Sequence, residues 1–245
     1  MSERGWALVT GAARRIGRAL ALAAARAGYD VVVHHHLTDA AETVRDIEAL
    51  GRRARAVRAD LADAGACRSL AGGGELTALV NSASLFDDDR IATLTPAGWD
   101  AAMAANLRAP VLLSQAFAAA LPAGADGLIV NIVDQRVLKP TPQFFSYAVS
   151  KAGLWAATQM LAQALAPRIR VNAIAPGPTL RSVHQAPGEF EAEAGAAPLG
   201  HGATPEEIGQ ALAYLIDARS VTGQMIAVDG GQHLAWRTPD IIDPD

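Results

Sequence analysis

The sequence predicts an α/β fold, in which a doubly wound, parallel, seven-stranded sheet carries helices on both faces. Short runs rich in β-branched residues alternate with longer Ala- and Leu-rich stretches along the 245 residues. Parallel strands need crossover connections, and helices of this length supply them. No Pro/Ser-rich linker or shift in composition interrupts the alternation, so residues 1–245 are predicted to form one domain.

The predicted elements follow one another in a regular order. Strands are predicted at 6–10, 30–35, 55–59, 77–81, 127–133, 169–173 and 225–228. Helices are predicted at 15–27, 40–51, 63–71, 96–121, 145–165 and 205–217. Residues 178–202 break the pattern, because they are rich in Pro and Gly and follow the end of a strand. A long irregular segment in such a position is typical of a lid over a substrate site.

Composition and charge exclude several classes of function. The net charge of −4 and the scattered basic residues argue against nucleic-acid binding. A single cysteine, Cys67, cannot form an internal disulfide. The sequence shows neither a signal-peptide pattern nor an uncharged apolar run of about 18 residues. We therefore predict a cytoplasmic protein with no membrane or nucleic-acid partner.

A glycine-containing turn, Thr10-Gly-Ala-Ala-Arg-Arg-Ile-Gly17, joins the first strand to the first helix. Small residues let the backbone bend and approach a diphosphate, and the helix N-terminus supplies free N–H groups and a partial positive charge. Two glycines six residues apart are a weak signal alone, and an ordinary βα turn is the alternative. The strand–turn–helix context favours a dinucleotide site.

The end of the second strand indicates which dinucleotide is bound. An NAD site of this kind places an acidic residue there, whereas this chain has His34-His35-His36-Leu37-Thr38. With Arg14 nearby, these residues offer donors to a 2′-phosphate, so NADPH is predicted over NADH. Three consecutive histidines also suggest a metal site. Successive strand residues point to opposite faces, however, so no metal site is predicted.

Tyr147 and Lys151 form a candidate acid–base pair at the start of the helix after the fifth strand. Their spacing of four residues places both side chains on one helical face. We expect the lysine charge to stabilise the phenolate and lower the pKa of Tyr147 from about 10, which would make the phenol a usable proton donor. A surface Tyr/Lys pair with no function is the alternative.

Together with Asn81-Ser-Ala-Ser84, Asn106 and Pro176-Gly177, these motifs resemble the short-chain dehydrogenase/reductase family over essentially the whole chain. The resemblance implies a Rossmann-like fold, a homotetramer built on the two long helices, and catalytic roles for Asn106, Tyr147 and Lys151. Asn106 would hold a proton-relay water through its helix, and Lys151 would also bind the nicotinamide ribose. The predicted cofactor site comprises Gly11, Arg14, Arg15, Ile16, Gly17, His34, His36, Thr38, Asp60, Leu61, Asn81, Ser82, Ala83, Tyr147, Lys151, Pro176, Gly177 and Thr179.

Three departures from the family pattern resemble one subgroup, the pteridine reductases and the bacterial dihydromonapterin and dihydrofolate reductases. Asp134 stands where the family has a catalytic serine, thirteen residues before Tyr147. Arg15 replaces the second glycine of the turn, and Asn81-Ser-Ala-Ser84 is followed by Leu85-Phe86. The predicted catalytic set therefore gains Asp134. The predicted substrate site comprises Arg15, Ser84, Phe86, Asp134 and Tyr147.

These departures suit a pterin, which is flat, aromatic and rich in ring nitrogens. Phe86 would stack on one face of such a ring, although simple apolar lining of a pocket is equally compatible with it. We predict hydride delivery to a pterin C=N carbon, with the nitrogen protonated through Tyr147, Asp134 or a relay water. Leu37 stands where protozoan pteridine reductases have an arginine, which leaves the 2′-phosphate to Arg14, Thr38 and a histidine.

Two other functions remain open. A carbonyl reductase of the 3-oxoacyl-carrier-protein type would need the serine that Asp134 replaces. A non-catalytic nucleotide-binding protein of the same fold, with Asp134 as a lost serine, would not need Tyr147 and Lys151. The leading prediction is a pterin reductase that uses NADPH.

Overall fold

The computed structural model describes residues 4–236, and the predicted seven-stranded parallel sheet is confirmed in it. Its strands are β1 (Trp6–Val9), β2 (Asp30–His35), β3 (Ala54–Arg58), β4 (Leu76–Asn81), β5 (Gly127–Ile132), β6 (Ile169–Pro176) and β7 (Met225–Val228). They lie in the order β3-β2-β1-β4-β5-β6-β7, with every pair parallel. Residues 1–3 and 237–245 of the predicted domain range lie outside the described residues.

The helices lie close to their predicted positions. They are α1 (Arg15–Arg26), α2 (Ala41–Ala49), α3 (Ala64–Ala71), α4 (Pro96–Met103), α5 (Ala109–Ala120), α6 (Phe145–Leu165), α7 (Glu189–Gly195) and α8 (Pro205–Asp217). The predicted helix at 96–121 is interrupted by a π-helical turn at Ala104–Arg108. The predicted irregular segment 178–202 contains the short helix α7, which buries no residue and so leaves little periodic signal.

Two apolar layers hold the helices on the sheet. Leu20 of α1, Ile47 of α2 and Leu212 of α8 pack against one face. Leu113 and Phe117 of α5 pack with α3 and α6 against the other face. All five side chains are almost fully buried. Because both faces are covered, the inner strands are largely apolar, as is typical of a parallel sheet, whereas the edge strand β3 exposes Arg55 and Arg58.

The strand order places a crevice at the carboxyl ends of β1 and β4, where the order reverses along the sheet. Ligands of doubly wound sheets bind at such a switch point. The glycine-containing turn follows β1 there, and Asn81 ends β4. Within residues 4–236, no helix has the length and apolar character needed to cross a membrane.

Candidate active site

The turn between β1 and α1 is sharply bent and tightly packed. Gly11 has a φ of +66°, and its N–H donates to His34 Nδ1 at 3.1 Å. A Cβ atom on Gly17 would overlap the carbonyl oxygen of Gly11, so only glycine fits there. No side chain caps the N-terminus of α1 at Arg14. The first N–H groups of α1, which include that of Ile16, are thus free of side-chain caps and suit a diphosphate.

Arg15 adopts the left-handed backbone conformation that favours glycine, with a φ of +53°. Its side chain is oriented towards the segment after β6, where the guanidinium donates to Leu180 O at 3.0 Å and to Arg181 O at 3.1 Å. Burial, followed by the nearby charge of Arg14, lowers the pKa of Arg15. Arg15 therefore connects the turn to the start of segment 178–202, a contact that the sequence does not indicate.

His34 supports the turn, in contrast to its predicted role as a phosphate ligand. It is 2% exposed, and its Nδ1 accepts the N–H of Gly11 while Nε2 lies 3.2 Å from Ala59 O. Burial lowers the pKa of His34 to about 4, so the ring is neutral at physiological pH. With both nitrogens engaged, His34 has no donor left for a 2′-phosphate. His36 is exposed and Thr38 partly exposed, and they remain predicted donors.

Thr10 ties the ends of β1 and β4 together. Its Oγ1 accepts the N–H groups of Ser82 at 2.9 Å and Ala83 at 3.0 Å. The side chain of Asn81 lies inside the sheet, where Nδ2 donates to Asn131 Oδ1 at 2.8 Å. Asn81 is only 2% exposed. The buried amide group of Asn81 is therefore not available to the adenosine ribose, and a contact with the ribose would come from the Asn81 backbone or from neighbouring residues.

The other predicted cofactor residues lie beyond the carboxyl ends of β3 and β6. Asp60 follows β3, and Leu61 next to it is buried. Pro176 ends β6. Gly177 follows, and a Cβ atom there would clash with Asp229, which directly follows β7. Thr179 is buried and donates from Oγ1 to Gly177 O at 3.0 Å. These residues lie at the edge of the sheet that also holds the glycine turn.

Tyr147, Asp134 and Lys151 are brought together between the end of β5 and the start of α6. The Tyr147 hydroxyl donates to Asp134 Oδ2 at 2.8 Å, and both residues are at least 91% buried. Lys151 Nζ donates to Ile132 O at 2.8 Å and lies 5.6 Å from the centre of the Tyr147 ring. Asp134, which the sequence analysis predicts as catalytic, is therefore the direct partner of the phenol.

The predicted lowering of the Tyr147 pKa is wrong, because the net shift is upward and Lys151 is not among its causes. Burial, the charge of Asp134 and its hydrogen bond together raise the pKa of Tyr147 well above 10.0, and Arg136 opposes them. Burial lowers the pKa of Lys151 from 10.5 to about 8, against the opposing charge of Asp134. The spacing of Tyr147 and Lys151 along the helix does not show that the fold buries the phenol against the carboxylate of Asp134. Tyr147 is thus a protonated phenol, and its hydroxyl is oriented by the hydrogen bond to Asp134.

Asn106 lies in the π-helical turn and is completely buried. Its Oδ1 accepts from Leu85 N at 2.8 Å and Ser84 Oγ at 3.1 Å. Its Nδ2 donates to Leu85 O at 2.9 Å and Ser150 Oγ at 3.1 Å. The amide therefore positions Ser84, a predicted substrate residue, and the loop that leads to Phe86. The relay water expected from the backbone of this helix stays a prediction.

Phe86 belongs to an aromatic cluster beside Tyr147. Its ring stacks on Phe144 at 4.2 Å between centroids and meets the Tyr147 ring edge-on at 4.7 Å. Phe144 has a φ of +52°, and His184 Nε2 lies 2.9 Å from Phe86 O. One face of Phe86 is thus covered by a neighbouring side chain. The cluster is largely apolar and lies next to the Tyr147 hydroxyl, an arrangement that suits a flat ligand.

Comparisons with known proteins show to which family the chain belongs. A family model described as enoyl-(acyl carrier protein) reductase matches residues 11–233. The 3-oxoacyl-[acyl-carrier-protein] reductase of Staphylococcus aureus is 31% identical in an alignment of 240 positions that covers 93% of this chain and 98% of that protein. The chain belongs to the short-chain dehydrogenase/reductase family.

Two solved structures of this family are more similar in sequence. The FolM alternative dihydrofolate reductase 1 of Brucella suis, in complex with NADP, is 49% identical with a TM-score of 0.91, over 96% of this chain and 98% of that chain. The protein of the same name from Brucella canis, complexed with NADP, is 47% identical with a TM-score of 0.89, over 97% of each chain.

In this short-chain dehydrogenase/reductase, three residues around Asp134 and Phe86 were not predicted from the sequence. They are Arg136, Phe144 and His184, which contact the aromatic cluster. The position of Arg136 two residues after Asp134 was a signal available in the sequence. Phe144, at the start of α6, was a signal of the same kind. His184 offered none, because a segment distant along the chain brings it to the site. Among residues 4–236, no group of three or more His, Cys, Asp or Glu is placed to hold a metal ion.

Proposed function

We propose that the protein is an NADPH-dependent reductase that adds a hydride to the C=N bond of a pterin, of the dihydromonapterin, dihydrobiopterin or dihydrofolate type. The observation that carries this proposal is the 2.8 Å hydrogen bond from the Tyr147 hydroxyl to Asp134. It rests further on the 47–49% identity to two FolM alternative dihydrofolate reductases. The finer placement, in the pteridine reductase subgroup of the family, is part of this proposal.

The residues of the crevice fit a dinucleotide phosphate. Gly11, Ile16 and Gly17 would hold the diphosphate at the N-terminus of α1. Arg14 and Thr38 would receive the 2′-phosphate, and Lys151 the nicotinamide ribose. Further contacts are proposed for Arg15, His36, Asp60, Leu61, Asn81, Ser82, Ala83, Tyr147, Pro176, Gly177 and Thr179. NADPH, when bound, supplies the hydride.

The chain's own residues supply the proton. Tyr147 is protonated over the whole physiological pH range, because burial and Asp134 raise its pKa. As hydride reaches the carbon of the C=N bond, the Tyr147 hydroxyl passes its proton to the nitrogen, and the C=N bond becomes CH–NH. Asp134 orients the hydroxyl, and Lys151 compensates the phenolate that is left. A relay held near Asn106 returns a proton to Tyr147.

The substrate would lie over the aromatic cluster, between Phe86 and the segment 178–202. Phe86 would stack on the pterin ring or line the pocket, and Ser84 and Arg15 would donate to its polar edge. Arg15 already contacts the backbone of Leu180 and Arg181. We propose that segment 178–202 is a lid, because it is tied both to the glycine turn by Arg15 and to the Phe86 loop by His184.

The test compares substrates under identical conditions. NADPH oxidation is followed with 7,8-dihydrobiopterin and with an acetoacetyl thioester. We expect turnover of the pterin; turnover of the thioester alone would refute the pterin proposal. Asp134→Ser should lose pterin turnover by about 100-fold, the size of a typical acid–base contribution, and gain on the thioester. Asp88→Ser, a matched change of an acid in the exposed loop nearby, should change neither rate.

A carbonyl reductase of 3-oxoacyl thioesters is the second candidate. It is favoured by the similarity to the Staphylococcus aureus reductase and by the matching family model. The carboxylate of Asp134 weighs against it, because a ketone oxygen that gains negative charge would face a carboxylate where a serine hydroxyl would donate. Binding of NADPH without turnover of either substrate would instead indicate the non-catalytic alternative.

We further propose a cytoplasmic homotetramer, with one domain per chain and contacts through the long helices α5 and α6. Met160 of α6 is 67% exposed, which leaves apolar surface for another copy. Size-exclusion chromatography with light scattering tests this, and a monomeric mass at micromolar concentration would contradict it.

A further inference from the structure

Arg136 lies against the carboxylate that holds the proton donor. It is the second residue of a 3₁₀ turn, Gln135–Val137, that directly follows Asp134. Its backbone N–H donates to Asp134 Oδ1 at 2.8 Å, and its Nη1 lies 3.5 Å from both carboxylate oxygens. Only 16% of the side chain is exposed. The guanidinium and the carboxylate thus form a largely buried ion pair.

Two aromatic rings fix the guanidinium on its other side. Its carbon lies 5.4 Å from the centre of the Phe144 ring and 5.9 Å from that of Phe86. Those rings stack on each other, and Phe86 in turn meets the ring of Tyr147 edge-on. Cation–π contacts of this kind strengthen when the cation is desolvated. Arg136 therefore contacts Tyr147 indirectly in two ways, through the Asp134 carboxylate and through the Phe86 ring.

The contacts of Arg136 differ from those of an arginine with a purely structural role. Arg170 donates to four backbone carbonyl oxygens at the end of α8, at Leu215, Ile216, Ala218 and Val221. Arg136 makes no such set of contacts, and its buried Nε has no partner among residues 4–236. Its side chain is held by one carboxylate and two rings, which places its charge beside Asp134.

The charge matters because no other cation contacts Asp134 within residues 4–236. Lys151 donates to a backbone oxygen instead, and the Tyr147 hydroxyl occupies Asp134 Oδ2. We propose that Arg136 is a positioning residue, which fixes the Asp134 carboxylate against the Tyr147 hydroxyl and balances its charge so that the phenol releases its proton to substrate. This role goes beyond the proposed function, since it applies to whichever substrate takes the proton.

A double-mutant cycle tests the proposal. The rate of hydride transfer is measured in single turnovers, with the substrate that the protein reduces, for Arg136→Met, Asp134→Asn and the double variant. Arg136→Met should slow the step about 10- to 100-fold, as expected for one lost charge-assisted contact, with KM within about threefold of the native value. In the Asp134→Asn background, Arg136→Met should lower the rate of hydride transfer by less than about threefold. Arg136→Lys should recover most of the loss, because it restores the charge.

Arg26→Met serves as the matched control, because Arg26 is exposed at the end of α1 remote from the carboxyl edge of the sheet. It should leave the rate unchanged. An equal loss in both backgrounds, or a loss confined to KM, would overturn the proposal in favour of a folding or substrate-binding role. If only the thioester is reduced, the pterin proposal fails while the cycle still decides the role of Arg136.

A second measurement needs no substrate. With ¹³C-labelled aspartate, the carboxyl resonance of Asp134 is assigned from the signal that Asp134→Asn removes. Arg136→Met should shift that resonance at pH 7, and Arg26→Met should not. An unchanged Asp134 resonance in Arg136→Met would overturn the proposal even for a protein in which neither substrate is turned over.

Discussion

Replacing Lys151 by methionine should reduce the rise in the free energy of unfolding as the pH increases above neutrality. Lys151 is 2% exposed, and burial lowers its pKa from 10.5 to about 8. The unfolded chain holds this proton up to about pH 10.5, whereas the folded chain releases it near pH 8. Between these values the unfolded state binds more protons, so stability rises with pH. The full difference corresponds to about 3 kcal/mol, at about 1.4 kcal/mol per pH unit.

Urea unfolding at pH 7.0 and pH 9.5 measures this contribution. Over that range about 2 kcal/mol of it should appear, since pH 9.5 lies above the folded pKa and below the unfolded one. The free energy of unfolding of the native chain should therefore rise by about 2 kcal/mol relative to that of Lys151→Met. Other groups also titrate over this range, but they do so in both proteins, so the difference isolates Lys151.

The only other lysine of the chain provides the control. Lys139 is exposed, and its Nζ donates to Ala235 O at 2.8 Å. Lys139→Met should show the same pH dependence as the native chain. A difference in unfolding free energy between the native chain and Lys151→Met that stayed constant from pH 7.0 to 9.5 would show that burial does not lower the pKa of Lys151.

Three further changes test other parts of the site. Tyr147→Phe should slow hydride transfer about 100- to 10,000-fold while the Kd for NADPH stays within about threefold; a smaller loss in single turnovers would remove the phenol from the mechanism. Gly17→Ala should weaken NADPH binding more than about tenfold, because its Cβ atom would displace the Gly11 carbonyl. Fluorescence titration with NADPH measures this, and an unaltered Kd would contradict the prediction. His34→Leu should cost about 1–3 kcal/mol of stability, because it leaves the buried N–H of Gly11 without its acceptor; an unchanged urea midpoint would contradict this.

Most of the fold was predictable because hydrophobic periodicity is a local property. The bounds of β2, α6, α8 and β7 agree with the prediction to the residue. The helix predicted at 96–121 is interrupted by the π-helical turn at Ala104–Arg108, within which Asn106 bonds to the Leu85 loop and to Ser150. Pro110, which follows this turn and has no N–H to donate, is a local signal for the interruption that the periodicity alone did not register.

The candidate site was predictable wherever spacing along one element decides which residues meet. Tyr147 and Lys151 share a face of α6, and Asp134 follows β5 next to it. The electrostatic effect on Tyr147 was not predictable, because it depends on burial and on the direction of the Asp134 carboxylate. His34 illustrates the same limit, since its position in β2 is evident from the sequence but its burial under the turn is not.

The sequence by itself determined the alternation of strands and helices, the glycine-containing turn and the candidate acid–base residues. These features follow from patterns within one element or between neighbours along the chain. Only the tertiary structure decided that Asp134 and Arg136, more than Lys151, control the environment of Tyr147. The physical reason is that desolvation and charge–charge energies depend on distance and burial in three dimensions, and those quantities exist only once β5, α6 and the aromatic loops have packed together.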